Sequence, residues 1–212
     1  MTCRQCLGIE KFFDQREAAG KLKKYRKSGP PKTTRALIEA IKVRGIVGKT
    51  VLDIGGGVGA IQHELLKAGA RSSIGVDASS AYIQAVEDEA RMQGHADRVR
   101  SHHGDFVDIA GDIPPADIVT LDRVICCYHD LEGLVGLSSR RAAGLYGIVY
   151  PRDNWAVRAT FGLFNFYLWL RRNPFRVFVH STSTVDGLVQ RNGFQQRYYS
   201  KTLVWQVAVY ER

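Results

Sequence analysis

The chain has 212 residues, 45% of them hydrophobic and 24% charged, which is enough for one sizeable α/β domain and short for two. No run reaches 18 apolar residues and the first residues lack a secretion-signal core, so neither a membrane span nor export is expected. The cysteines (Cys3, Cys6, Cys126 and Cys127) suit a reducing, cytoplasmic setting rather than a disulfide scaffold.

The net charge is +9, and its distribution is uneven. Residues 1–48 carry 12 Lys/Arg against 4 Asp/Glu, while the remainder carries 18 against 17. Residues 1–34 therefore read as a basic arm or lid, either a solvated helical face or a contact for something anionic. Residues 9–28 are moderately helical until Gly29-Pro30-Pro31 breaks them. Thr33 or Thr34 is placed to cap a helix bearing Ala36, Leu37, Ala40 and Ile41, closed by Gly45 and Gly48.

Residues 50–54 read as a short buried strand. Gly55-Gly56-Gly57-Val58-Gly59 follows at once, then a helix from about Ala60 to Ala68. Further strands are expected over 73–77, 99–103, 116–124 and 145–149, with helices from Ser79 or Ser80 to about Gln93 and over 131–143. Strands alternating with helices mean βαβ units and a mostly parallel sheet. In the tail, residues 155–171 are rich in aromatics, 185–190 form a helix stopped by Asn192-Gly193, and 194–202 and 203–210 alternate like two antiparallel strands.

The strand–loop–helix over Val51–Leu66 carries the chemistry. Gly55, Gly57 and Gly59 let the backbone approach a ligand, and the helix behind them offers free N–H groups. Asp53, two residues before the first glycine, suits a ligand bearing a cation and an ammonium group and suits pyrophosphate badly. Asp77 ends the second strand, where a carboxylate can accept both hydroxyls of a ribose. Asp105-Phe106 ends the third, where an acid and an aromatic can hold an adenine. These acids belong to the carboxyl edge of the sheet, where open α/β sheets bind ligands.

The segments VLDIGGGVGAI, IGVDAS, GDFVD and ADIVTLDRVICCYHD resemble, in order, four motifs of the class I S-adenosylmethionine-dependent methyltransferases. HSTSTVDGLVQRNGF with two strands after it is similar to that family's last helix and closing hairpin, so the resemblance covers about residues 35–212. It implies a Rossmann-like, seven-stranded, mostly parallel sheet with helices on both faces and the last strand antiparallel. It also implies S-adenosylmethionine as cofactor and S-adenosylhomocysteine (SAH) as product. Asp53 would hold the methionine end, Asp77 and Ala78 the ribose, and Asp105 and Phe106 the adenine, with Asp122 of the fourth motif completing the set. The segment order after the fourth strand looks closest to the magnesium-protoporphyrin O-methyltransferase group. The His-Tyr pair of that group stands here as Cys126-Cys127-Tyr128-His129, shifted and altered.

Methyl transfer from a sulfonium is largely a matter of positioning, and a base is needed only where the acceptor atom carries a proton. His129 is the candidate base and Tyr128 the candidate for orienting the acceptor; a surface histidine and a packed aromatic are the alternatives. Tyr25 is placed to close over the site, and His180 to cap or pack near the last helix. Cys126-Cys127 read as buried thiols. Cys3-x-x-Cys6 is half a zinc site, and no metal is expected.

Within an insertion over about 152–178, the aromatics suit a cover over a flat or greasy acceptor. With Arg171-Arg172 at its edge, 155–171 also offers a peripheral membrane contact; a core or dimer helix is the alternative. The reading favoured is a cytoplasmic methyltransferase acting on a small hydrophobic or anionic acceptor, with O-methylation preferred. An RNA methyltransferase fits the basic arm, but the fourth strand does not end in an Asn/Asp-Pro-Pro-aromatic loop, so a nucleic-acid partner is not expected. A nicotinamide dehydrogenase lacks its Tyr-x-x-x-Lys pair; a non-catalytic binder of the same cofactor is the remaining alternative.

Overall fold

The computed structural model describes residues 4–212. Two helices, α1 (Arg4–Phe12) and α2 (Gln15–Ser28), occupy the stretch that reads as one in the sequence. Asp14 divides them, because its carboxylate accepts from the Glu17 N–H at 2.9 Å and caps α2. Helix α3 (Lys32–Lys42) starts on Pro31 without a side-chain cap. Thr33 and Thr34 lie inside its first turn and are buried, so neither is the cap that their position suggested.

The strands are β1 (Thr50–Ile54), β2 (Ser72–Asp77), β3 (Val99–His103), β4 (Ala116–Asp122), β5 (Ala142–Pro151), β6 (Gln195–Lys201) and β7 (Trp205–Glu211). They form one sheet in the order β3-β2-β1-β4-β5-β7-β6. Neighbours from β3 to β5 are parallel, and β7 runs antiparallel to both β5 and β6. This is the sheet expected from the sequence, with its last strand reversed. β4 ends at Asp122 rather than Val124, because Arg123 turns the chain with φ +62°.

The helices between the strands are α4 (Ala60–Lys67), α5 (Ser80–Met92), α6 (Phe106–Ile109), α7 (Leu131–Arg141), α8 (Trp155–Leu170) and α9 (Thr182–Arg191). Successive strand residues feed opposite faces of the sheet. On one face Leu52, Val119, Tyr146, Ile148 and Ala208 pack with Leu134, Val185 and Val189. On the other Val51, Ile118, Val149 and Val207 pack with Leu37, Ile41 and Leu65. The chain moves outward from β1 toward β3 on one side and from β4 toward β5 on the other. That reversal leaves a crevice at the carboxyl ends of β1 and β4, the usual ligand position in such sheets.

Candidate functional site

The crevice opens into a cavity of about 530 Å³. Its floor is the glycine loop. Gly55, Gly57 and Gly59 take φ of +61°, +58° and +72°, a region glycine enters without the Cβ penalty. They serve different ends. A Cβ on Gly55 would stand 2.7 Å from Val124 Cγ2, and one on Gly59, the residue before α4, 3.0 Å from His63 Nε2. Above Gly57 the nearest neighbour is the Tyr82 ring at 3.9 Å, so this peptide faces the open cavity.

Three carboxylates from three strand ends line the space, Asp77, Asp105 and Asp122, beside Ala78 and Phe106. Asp77 is placed by backbone donors: Gly57 N–H reaches Oδ2 at 3.1 Å and Ser79 N–H reaches Oδ1 at 2.8 Å. Burial nevertheless pushes its carboxyl up to about 6. Asp105 caps α6 through Val107 N–H and receives the Tyr128 hydroxyl at 2.8–2.9 Å on both oxygens. The Cys6 thiol adds a contact of 3.1 Å on Oδ2. Asp122 Oδ2 accepts from the Thr34 hydroxyl, whereas its buried Oδ1 accepts no hydrogen bond and has the Arg123 Nε at 3.7 Å. Burial raises this carboxyl as well.

Asp53 is placed differently from the expectation that it meets the ligand. It is fully buried behind the loop, on the α4 face of the sheet, because strand alternation sends it to the side opposite Leu52 and Ile54. Thr120 donates to its Oδ1 at 2.7 Å and Gln62 approaches Oδ2 at 3.5 Å. Burial lifts its carboxyl to about 7. A Cβ on Gly56 would lie 2.1 Å from Oδ2, so Asp53 supports the loop from beneath.

Of the expected catalytic pair, Tyr128 and His129, only Tyr128 reaches the cavity. Tyr128 lines the cavity, with its hydroxyl engaged by Asp105. His129 is exposed and lines a neighbouring hollow with Gln5, Asp108, Pro174 and Arg176, and Asp105 and Tyr128 form the wall shared with the cavity. The His129 ring packs on the Tyr128 ring with centroids 5.1 Å apart, on its exposed side, so His129 lies outside that cavity rather than beside the expected methyl. His180 pins the same turn, its Nε2 standing 2.8 Å from the Ile125 carbonyl.

Tyr25 does not close over the cavity; it is buried against α4 and donates to Glu64 Oε1 at 2.8 Å. Cys126 and Cys127 have their sulfurs 3.8 Å apart, and the contact with Cys127, with burial, drives the Cys126 thiol well up. Cys3 lies outside the described residues, and among the described residues no group of His, Cys, Asp and Glu is arranged for a metal.

The far half of the cavity is apolar, with Phe12 of α1, Phe161 and Phe164 of α8, and Phe175 and Val177 beyond it. Lys21 and Arg123 bring cations to its edge. The Arg123 guanidinium lies 4.9 Å over the Trp205 ring and donates to Thr33 Oγ1 at 2.7 Å. Sequence reasoning missed Phe12, Lys21, Thr34, Tyr82, Arg123 and Phe175. The one available signal was Arg123, a cation directly after an acid at a strand end.

Residues 51–141 match the model of a family described as a methyltransferase domain. A curated relative, the ribosomal protein L11 methyltransferase of Edwardsiella ictaluri, is 31% identical over 118 residues, covering 52% of this chain and 40% of the relative. The chain thus spans about two fifths of the length of that curated relative. The structure of magnesium protoporphyrin IX methyltransferase from Synechocystis PCC 6803 with bound SAH superposes with a TM-score of 0.73 at 13% identity, over 96% of this chain and 98% of that one. An O-methyltransferase family protein from Burkholderia thailandensis gives 0.70 at 16% identity, over 94% of this chain and 60% of its own.

Proposed function

We propose that this chain, a class I S-adenosylmethionine-dependent methyltransferase, transfers a methyl group to a small apolar acceptor bearing a carboxylate, and that the carboxylate oxygen is the acceptor atom. The residues at the crevice fit the cofactor. Gly57 presents an open peptide face, Asp77 sits one hydrogen bond from it, and the buried Asp122 Oδ1 lacks a hydrogen-bond donor. When bound, S-adenosylmethionine supplies an electrophilic methyl on a sulfonium. Asp77 would accept from the ribose hydroxyls, with Ala78 beside it. Asp122, rather than the buried Asp53, would receive the ammonium group. An adenine amine would take the place of the Cys6 thiol on Asp105 Oδ2, with Phe106 against the ring.

The observation that carries the acceptor class is the far half of the cavity. It is walled by aromatic rings, edged by Lys21 and Arg123, and lined by no histidine among the described residues. The Tyr128 hydroxyl is taken up by Asp105. An acceptor that arrives already deprotonated suits such a chamber, because no general base is needed. Arg123 and Lys21 would orient the carboxylate, and the phenylalanines would exclude water.

Two measurements test this. Calorimetric titration should show SAH binding with a Kd on the order of micromolar and no binding of NADH. SAH release from S-adenosylmethionine should then be followed with apolar aromatic carboxylic acids and their methyl esters. Turnover on acids and none on esters is expected. Turnover on phenols with none on acids sinks the carboxylate reading, and turnover on a ribosomal protein alone transfers the function to a protein acceptor.

A further inference from the structure

Helix α8 is apolar on two faces. Val157, Phe161, Phe164 and Leu168 turn inward, and Phe161 and Phe164 form part of the cavity wall. The opposite side carries Leu163, Phe166 and Leu170 at helical spacing, flanked by Trp155, Tyr167 and Trp169. These are open to solvent: Trp155 is 83% exposed, Leu163 73% and Trp169 61%. Phe166 and Trp169 stack at 5.8 Å, so the outer face presents a preformed aromatic plate. Leu203, also exposed, adjoins the helix start, because the Arg152 N–H bonds the Val204 carbonyl at 2.8 Å.

A surface helix normally carries a polar outer face, and one that is apolar all round is normally covered. The charge around α8 states what covers it. Residues 154–185 contain four arginines and no acid. Arg158 is held by Asp153 at 2.7 Å, while Arg171 and Arg172 are exposed at the helix end. Tryptophan and tyrosine beside arginine is the composition of a lipid–water interface. At 16 residues the helix is about 24 Å long, and among the described residues no helix is long and apolar enough to cross a bilayer. A helix of that length and composition suits lying along a bilayer surface rather than across it.

We propose that the outer face of α8, with Leu203, docks on a bilayer bearing anionic headgroups. Leu163, Phe166, Trp169 and Leu170 enter the headgroup–acyl boundary, and Arg171 and Arg172 meet the headgroup charge. The wall of the apolar cavity then rests against lipid, so an apolar acceptor reaches Phe161 and Phe164 from the membrane. Docking stands independently of the methyl-transfer reading.

The test is co-sedimentation of the full chain with vesicles of phosphatidylcholine alone and of phosphatidylcholine mixed with phosphatidylglycerol. Binding to the mixed vesicles should be at least about tenfold tighter, and Arg171→Gln with Arg172→Gln should remove most of that difference. Phe166→Ser with Trp169→Ser should weaken binding by more than about tenfold, although the net charge is unchanged. SAH affinity of this second variant, read by calorimetry, should stay within about twofold of the parent, which separates failure of docking from failure of the cofactor reading. Vesicle binding that persists in the Phe166/Trp169 variant overturns the proposal, since the basic arm would then be the contact. Absence of vesicle binding overturns it too. A solution dimer dissociated by the same two substitutions assigns the face to a second copy and refutes the lipid.

Discussion

Asp77 is the residue on which the cofactor reading is most exposed. Its two oxygens accept from Gly57 and Ser79 at 3.1 and 2.8 Å, so the carboxylate joins the glycine loop to the start of α5. Replacement with alanine leaves two backbone donors and the incoming ribose hydroxyls without their acceptor. An unpaired buried group costs about 1–3 kcal/mol, and about 1.4 kcal/mol is tenfold in affinity, so SAH affinity should fall by roughly 5- to 150-fold. Asparagine is no rescue, because with Oδ1 kept for Ser79 its amide nitrogen would face the Gly57 N–H, donor against donor. The pH dependence gives a second readout. The carboxyl is pushed up to about 6, and a protonated acid is a poor acceptor for hydroxyl donors. SAH affinity in the parent should therefore decline by up to about tenfold per unit as pH falls below about 6, and Asp77→Asn should flatten that decline. Calorimetry at several pH values reads both effects. Equal SAH affinity of Asp77→Ala and the parent at neutral pH removes Asp77 from the site, and a decline that survives in Asp77→Asn assigns the proton elsewhere.

Gly55→Ala combines a φ of +61° with a Cβ 2.7 Å from Val124, so strain of about 1–2 kcal/mol should lower the melting temperature by about 2–8 °C; an unchanged melt would mean that the turn relaxes freely. Gly20→Ala is the contrast, since nothing lies within 4 Å of its Cβ in the middle of α2, and a rise of about 1–4 °C is expected in the same assay. Tyr128→Phe removes a donor from both Asp105 oxygens and should weaken SAH binding about tenfold, whereas His129→Ala, outside the cavity, should change it less than about twofold; calorimetry that reverses this order would return His129 to the site. Burial holds the His63 imidazole down at about 4, against about 6.5 when unfolded. Its contribution is complete above about pH 6.5 and is lost toward pH 4, because the unfolded chain takes a proton that the folded one refuses. The raised carboxyls of Asp53 and Asp77 act in the opposite sense over the same range, so the test is the difference between His63→Gln and the parent in urea unfolding, which should shift by up to roughly 3 kcal/mol in favour of the variant between about pH 6.5 and pH 4; a difference that does not change with pH would clear His63.

The sheet was readable because its central strands, β1, β4 and β5, are short apolar runs, and a parallel sheet forces successive carboxyl ends to one edge. Asp77, Asp105 and Asp122 share the cavity for that reason, and a list of strand ends suffices to find them. Asp53 and His129 show where such reading stops. Asp53 lies one residue inside the end of β1 and is displaced by strand alternation, whereas His129 lies beyond the turn at Ile125–Cys127 that follows β4. Asp53 shares a strand with Leu52 and Ile54 and faces the other way, and His129 packs its ring on the exposed side of Tyr128. Residue type and position along the chain were legible there, while the side of Asp53 depended on the face that α4 covers and the place of His129 on the turn after β4.

The basic arm was the least legible part, and its physical role differs from what its charge suggests. Its solvated lysines and arginines dominate the composition, and two of its charged residues tie it to α5, Arg26 to Glu89 at 2.7 Å and Glu10 to the Ser80 N–H at 3.0 Å, while its contacts with the cavity wall are made by uncharged groups. Gln5 Nε2 donates to the carbonyls of Cys127 and Arg176 at 2.8 Å each, which ties α1 to the turn after β4 and to the segment after α8. Phe12 stacks on Phe175 at 5.0 Å, and Phe13 packs edge-on to the same ring at 5.6 Å. Gly8 has Phe175 so near that a Cβ would meet its backbone nitrogen at 2.5 Å. These contacts span more than a hundred residues of sequence, and none has a local periodicity to announce it. They make the arm a wall of the cavity. The charge that first draws attention to residues 1–34 is therefore mostly the solvent side of a segment whose few apolar residues complete the apolar half of the cavity, with Lys21 at the cavity's edge beside Glu17.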